Sequence, residues 1–214
     1  MVKLLVDEKQ IEVKEGTILL KACLDNGIYI PNLCFVDDMK RSVASCRMCF
    51  VEVEGEKKPV TACTVMVTGK MTVRTDTPAV RRLQRSAFRL LLSTHDVDCL
   101  NCQANKKCEL QKIAKFLKIG LKQKALEKIL KSPAVDESHP RFNVFYNRCV
   151  LCGKCIYVCQ RRNQKAMLTF VKRGFDTVIS FYDAGNLSEI SCGACNSCVE
   201  ICPVGAITLK ESSF

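Results

Sequence analysis

One run of four cysteines occurs twice, as RCVLCGKCIYVCQ over residues 148–160 and as SCGACNSCVEICP over residues 191–203, 43 positions apart. Nothing else in the chain restricts its fold so strongly. Cys149, Cys152, Cys155 and Cys159, and again Cys192, Cys195, Cys198 and Cys202, place three thiols on one short loop and a fourth just beyond it. Disulfides, zinc and iron-sulfur clusters compete to explain this. Disulfide frameworks belong to small secreted chains, and the opening MVKLLVDEKQIEV turns charged at Asp7, which does not read as a signal peptide. Tetrahedral zinc takes separated pairs of ligands rather than triplets two residues apart. Three thiolates on one loop suit three irons of a cubane, whose fourth iron takes a ligand from elsewhere.

In two-cluster ferredoxins the fourth cysteine of each run serves the other cluster. The implied sets are crossed: Cys149, Cys152 and Cys155 with Cys202, and Cys192, Cys195 and Cys198 with Cys159. Gln160 stands where the first run often carries proline, which alters a turn and leaves the ligands intact.

The other cysteines divide in the same way. Cys34, Cys46, Cys49 and Cys63 offer one CxxC pair between two distant partners. That fits two thiolates on each iron of a binuclear cluster better than the paired knuckles of a zinc ribbon. Cys99, Cys102 and Cys108 supply only three thiols, and His95 lies four residues ahead of them in HDVDCLNCQANKKC. Imidazole is an acceptable iron ligand, and a neutral ring in place of a thiolate makes a cluster less negative and raises its potential. His95 therefore completes a fourth set. Cys23, left over, shares an apolar helix face with Leu19 and Ala22 and reads as a small core residue.

This changes the meaning of the charge. The formal value of +11 counts every cysteine as neutral and points at first to nucleic acid. Three all-cysteine clusters and one mixed cluster would contribute about −7, leaving the folded chain near about +4. The basicity is then compensation for cluster charge. No apolar run approaches the roughly 18 residues of a membrane span, and the chain is expected to be cytoplasmic or membrane-peripheral.

Along the chain, KLLVDEKQIEV reads as a β-hairpin. GTILLKACLDNG reads as a short helix with Thr17 as N-cap and Gly27 as its stop. Strand-like runs follow in CFVEVEGEKKPVTACTVMV and MTVRT. A basic amphipathic helix is predicted from Pro78 to about Leu92. ELQKIAKFLKIGLKQKALEKILK reads as a second, lysine-rich helix with a solvated face. SPAVDESHPRF reads as a linker, with His139 a linker or packing residue.

CRMCFVEVEG, ACTVMV, HDVDCLNCQANKKCELQ and DESHPRFNVFYNRCVLCGKC together resemble the iron-sulfur N-terminal region shared by three proteins. These are the large peripheral-arm subunit of complex I, iron-only hydrogenases, and the small diaphorase subunit of NAD-linked nickel-iron hydrogenases. The resemblance extends over essentially the whole chain. It implies an α+β multidomain protein: a β-grasp 2Fe-2S ferredoxin domain over 1–77, a small helical His/Cys 4Fe-4S domain over 78–138, and a two-cluster 4Fe-4S ferredoxin domain over 139–214. By position it assigns Cys34, Cys46, Cys49 and Cys63 to one 2Fe-2S cluster, and His95, Cys99, Cys102 and Cys108 to one of three 4Fe-4S clusters. Asp96 and Lys107 depart from the family's usual proline and glycine, both between ligands.

The resemblance further implies an electron-transfer subunit with no catalytic residues of its own. Its partners would be a flavin- and NAD(P)H-binding subunit and a catalytic subunit, most simply that of a soluble nickel-iron hydrogenase; an electron-bifurcating version would add a ferredoxin as further partner. An NAD-dependent formate dehydrogenase or a complex I-like NADH dehydrogenase is the alternative setting. With Phe214 twelve residues past Cys202, no hydrogen-activating domain is expected, and no GxGxxG loop marks a nucleotide site. A zinc-rich nucleic-acid-binding protein and a free ferredoxin are the competing classes.

Overall fold

A computed structural model describes residues 1–39, 41–122, 126–164, 167–181, 192 and 195–210. The chain folds as two compact units, 1–90 with 113–119, and 91–112 with 120–214.

In the first unit, alternation of apolar and polar residues produces the hairpin of β1 (Val2–Val6) and β2 (Lys9–Val13), paired from Val2 opposite Val13 to Val6 opposite Lys9. Leu4, Val6, Ile11 and Val13 all point into the core. After helix α1 (Leu19–Asp25), strands β3 (Phe50–Val53), β4 (Val60–Thr61) and β5 (Met71–Arg74) complete a mixed sheet ordered β2-β1-β5-β3-β4. β1 and β5 run parallel. At the hairpin turn the Asp7 carboxylate accepts the Thr75 amide at 2.8 Å and its hydroxyl at 2.7 Å, tying the turn to the end of β5. Leu19, Leu20, Ala22 and Cys23 of α1 join the sheet's apolar face in one core.

Thr17 does not cap α1. Its carbonyl accepts the Val67 amide at 2.8 Å, Ile18 bridges Met66, and the helix starts one residue later without a side-chain cap. Strand-like pairing there overrides the local capping tendency. Gly27 does stop the helix: its φ is +75°, and the Ile28 amide returns to the Cys23 carbonyl at 2.9 Å.

Helix α2 (Pro78–Ser93) begins as its sequence predicts. Pro78 takes the first turn, and the Thr77 hydroxyl accepts the Val80 amide at 3.2 Å. Val80, Gln84 and Phe88 are buried, while Arg82 and Arg89 are exposed. Helix α3 (Glu109–Leu117) ends well before the lysine-rich run does. Lys118 has a φ of +54°, the Ile119 amide closes on the Ala114 carbonyl, and residues 126–132 are not helical. Among the described residues, the expected long helix is thus only its first two and a half turns. Within α3 the lysines do form a solvated face, with Lys112 and Lys115 exposed.

In the second unit, residues 132–142 do not behave as a linker. β6 (Val135–Asp136) pairs with β7 (Phe142–Phe145), and β7 pairs in turn with the final strand. The duplication in the sequence appears as two strand-loop-helix-strand repeats. The first is β7, α4 (Lys154–Asn163) and β8 (Leu168–Val171); the second is β9 (Val178–Phe181), α5 (Ser197–Glu200) and β10 (Ile207–Leu209). Each sheet joins the halves, β10 with β7 and β8 with β9. His139 is a packing residue, 2% exposed, its ring 4.7 Å from Phe142 and 4.2 Å from Phe181.

Candidate metal centres

In the first unit Cys34, Cys46 and Cys49 lie on the long connection before β3, and Cys63 on the short turn after β4. All four are buried. The Sγ atoms of Cys34 and Cys46 are 3.5 Å apart. The Cys46 thiol holds Cys34 well below the usual thiol range, and the Cys49 thiol does the same for Cys63. Cys46 and Cys49 are driven upward, first by their partner thiols and then by burial. Ala44 and Arg47 hold φ values of +49° and +51°, a left-handed backbone that non-glycine residues rarely adopt. Such strain clusters where a loop is bent around a ligand. The four thiols form two buried pairs, which suits two ligands on each of two irons. Cys23 stands apart from them in the hydrophobic core, where burial pushes its thiol up to about 12.

In the second unit the end of α2 presents His95. Its amide returns to the Leu92 carbonyl at 3.3 Å, and Lys128 donates to the carbonyls of Leu92 and His95 at 2.7 and 2.8 Å. The lysine thus caps orphan carbonyls at the negative end of the helix. His95, Cys99, Cys102 and Cys108 line one cavity, with Arg148 and Val204 also on its wall. Burial, then the Lys128 charge, push the imidazole down to about 4, so it is neutral at pH 7. Neutral imidazole is the form that binds metal. Its Nδ1 is buried and has no hydrogen-bond partner. A buried acceptor without a partner is rare in folded proteins and calls for an explanation; an iron facing the ring would supply one. The turns Cys102 to Cys99 and Asn105 to Cys102 fold the loop onto the cavity, and Cys108 sits where α3 begins.

Cys149, Cys152, Cys155 and Cys202 line a second cavity with Val204 and Ala206. Burial pushes Cys149 up to about 12 and Cys155 higher still. The Ala206 amide donates to Cys202 Sγ at 3.2 Å. The remaining set is Cys159, Cys192, Cys195 and Cys198. Burial, then Cys159 and Cys192, push Cys198 up to about 12, and Cys192 is raised by burial and by Cys159. Asn163 donates to Cys159 Sγ at 3.4 Å. Residues 191, 193 and 194 of this loop lie outside the described residues.

Thiols buried this deeply resist ionisation by themselves, and a bound cation overcomes that resistance. None of the 16 cysteines is in a disulfide. Among the described residues no three His, Cys, Asp or Glu side chains gather tightly enough for one bare metal ion; a cubane instead spreads its ligands over four irons. Spacing alone gives no sign of Lys128, Arg148, Val204 or Asn163, which reach these sites only through the fold.

Residues 1–78 match the 2Fe-2S iron-sulfur cluster binding domain, residues 84–121 the NADH-ubiquinone oxidoreductase-G iron-sulfur binding region, and residues 140–208 the ferredoxin-like domain of NADH-quinone oxidoreductase subunit 3. The chain is a multidomain iron-sulfur protein. Over 100% of its length this iron-sulfur protein is 33% identical to 30% of the NADH-ubiquinone oxidoreductase 75 kDa subunit of Reclinomonas americana. Over 99% of its length it is 32% identical to 36% of the NADP-reducing hydrogenase subunit HndD of Solidesulfovibrio fructosivorans. It therefore spans about a third of the length of these curated relatives. Among solved structures it resembles a chain of an NAD+-reducing [NiFe]-hydrogenase in the H2-reduced state, with a TM-score of 0.86 and 27% identity, covering 100% of this chain and 89% of the other. Among the described residues no helix is long and apolar enough to cross a membrane.

Proposed function

We propose that the iron-sulfur protein is a cytoplasmic electron-transfer subunit with one 2Fe-2S and three 4Fe-4S clusters and no catalytic residues of its own. Cys34, Cys46, Cys49 and Cys63 would hold the binuclear cluster. His95 with Cys99, Cys102 and Cys108 would hold the mixed cubane. The crossed sets of Cys149, Cys152, Cys155 with Cys202, and Cys192, Cys195, Cys198 with Cys159, would hold the other two. The reading rests above all on the cavity in which three cysteines meet a neutral, buried imidazole whose Nδ1 lacks a partner. Bound clusters supply one-electron chemistry. The polypeptide's own part is to exclude water, to set spacing, and to donate hydrogen bonds to ligand sulfur, as Ala206 and Asn163 do.

The partners would be a flavin- and NAD(P)H-binding subunit and a catalytic subunit of a nickel-iron hydrogenase, supported by the likeness over 89% of a hydrogenase chain. The match to the NADH-ubiquinone oxidoreductase 75 kDa subunit favours a complex I-like NADH dehydrogenase as the second setting. Anaerobic isolation tests the chemistry: about fourteen irons per chain with equivalent acid-labile sulfide are expected. A colourless, zinc-containing, sulfide-free folded chain would refute it. Mass spectrometry of the native complex identifies the neighbours, and a lasting monomer would argue for a free carrier.

A further inference from the structure

Among the described residues Val204, 1% exposed, is the one that lines both the cavity of His95, Cys99, Cys102 and Cys108 and the cavity of Cys149, Cys152, Cys155 and Cys202. Its carbonyl oxygen lies 3.9 Å from Cys102 Sγ. With the sulfur ionised as a ligand this is a van der Waals contact. Two residues on, the Ala206 amide donates to Cys202 Sγ at 3.2 Å. One short piece of main chain, centred on Gly205, therefore runs from a ligand sulfur of one site to a ligand sulfur of the other.

The two loops are also pressed together. Glu109 donates its amide to the Pro203 carbonyl at 2.9 Å. Gly205 has a φ of +63°, and a Cβ there would fall 2.8 Å from Ala104 Cβ and 3.3 Å from Ala104 N. Only glycine allows so close an approach in this conformation. Ala104 belongs to the loop between Cys102 and Cys108, so the contact sets the distance between the two ligand loops.

We propose that the main chain of Val204, Gly205 and Ala206 is the conduit for single electrons between the His95 site and the Cys149 site. This rests on the function proposed above. One electron leaves one site and arrives at the other; no bond forms or breaks and no proton moves. Electronic coupling falls steeply with separation and falls faster across empty space than through bonds. A bonded path closed at one end by an N–H···S contact is thus favoured over a jump. The amide also stabilises negative charge on the Cys202 sulfur.

The test uses the full chain with its clusters, prepared anaerobically. In the wild type with both sites reduced, EPR should show mutual spin splitting between the two clusters; no splitting with both signals present would overturn the proposal. In Gly205→Ala the new Cβ wedges the loops apart. The splitting should shrink and electron equilibration after pulsed reduction should slow several-fold, with iron content and both midpoint potentials unchanged. Ala104→Gly added to Gly205→Ala should restore most of the rate. An unchanged rate in a fully loaded Gly205→Ala chain would place the path elsewhere. Should that variant fail to hold both clusters, the wild-type splitting alone decides. A wild-type chain lacking either cluster by iron count and EPR would instead refute the proposed function.

Discussion

On the proposed assignment, replacing His95 with alanine removes one ligand of four at a single site and leaves the surrounding backbone supported. The main-chain bonds at this position, from the His95 amide to Leu92 and from Lys128 to the His95 carbonyl, do not involve the ring. The fold should therefore survive. Three thiols remain in the cavity, and three thiolates hold three irons of a cubane, so the expected loss is about one iron in about fourteen with sulfide unchanged. Iron content alone is not decisive, because Asp96 and Asp98 also line the cavity and a carboxylate could take the vacant position. EPR separates the outcomes. A three-iron signal in the oxidised protein marks an open site, and a shifted four-iron spectrum in the reduced protein marks a substituted one. His95→Cys should keep four irons and lower that cluster's potential, because a thiolate adds negative charge where the imidazole is neutral. Iron content, spectrum and potential all identical in wild type and His95→Ala would show that the ring is not a ligand.

Two further outcomes separate structural residues from ligands. Cys23 is fully buried in the core of the first unit. Cys23→Ala should leave iron and EPR unchanged while lowering stability by about 1 kcal/mol in denaturant unfolding, and a loss of iron would overturn its core assignment. His139 is lowered from its ordinary value of 6.5, by burial first and then by Arg141 and Lys210, against the opposing charge of Asp136. The folded ring stays neutral where the unfolded ring takes up a proton, so its contribution is intact above 6.5 and is lost as pH falls below that toward the folded value. His139→Phe, which keeps the stack on Phe142 and Phe181, should flatten the fall in denaturant midpoint between about pH 7 and about pH 5.5. An unchanged slope would show that His139 does not couple to folding.

The legible parts of the fold are those whose signal is local. Alternation marks the first hairpin, Pro78 and a 3.6-residue period mark α2, and the 43-residue spacing marks the two repeats. Cysteine spacing nominates the ligand candidates, and the structure brings the cysteines of each set close together. Sequence pattern misleads where distant backbone decides. The lysine-rich run keeps its helical period past Leu117, yet its later amides go elsewhere: Ile129 donates to the Ser93 carbonyl and Lys131 to the Asn147 side chain. Val135 and Asp136 look like loop beside Pro133 and Pro140, but β7 offers them a partner. A polar, proline-flanked segment cannot announce a strand that exists only through its neighbour.

The last thiol around the Cys149 site arrives from Cys202, far along the chain from its companions Cys152 and Cys155. A nascent chain emerging past the first repeat thus holds Cys149, Cys152 and Cys155 without Cys202, and the second repeat must be synthesised before that cavity has all its walls. Under the proposed function, insertion of metal into this cavity would be a late event, one that waits for the two repeats to close on each other like a clasp.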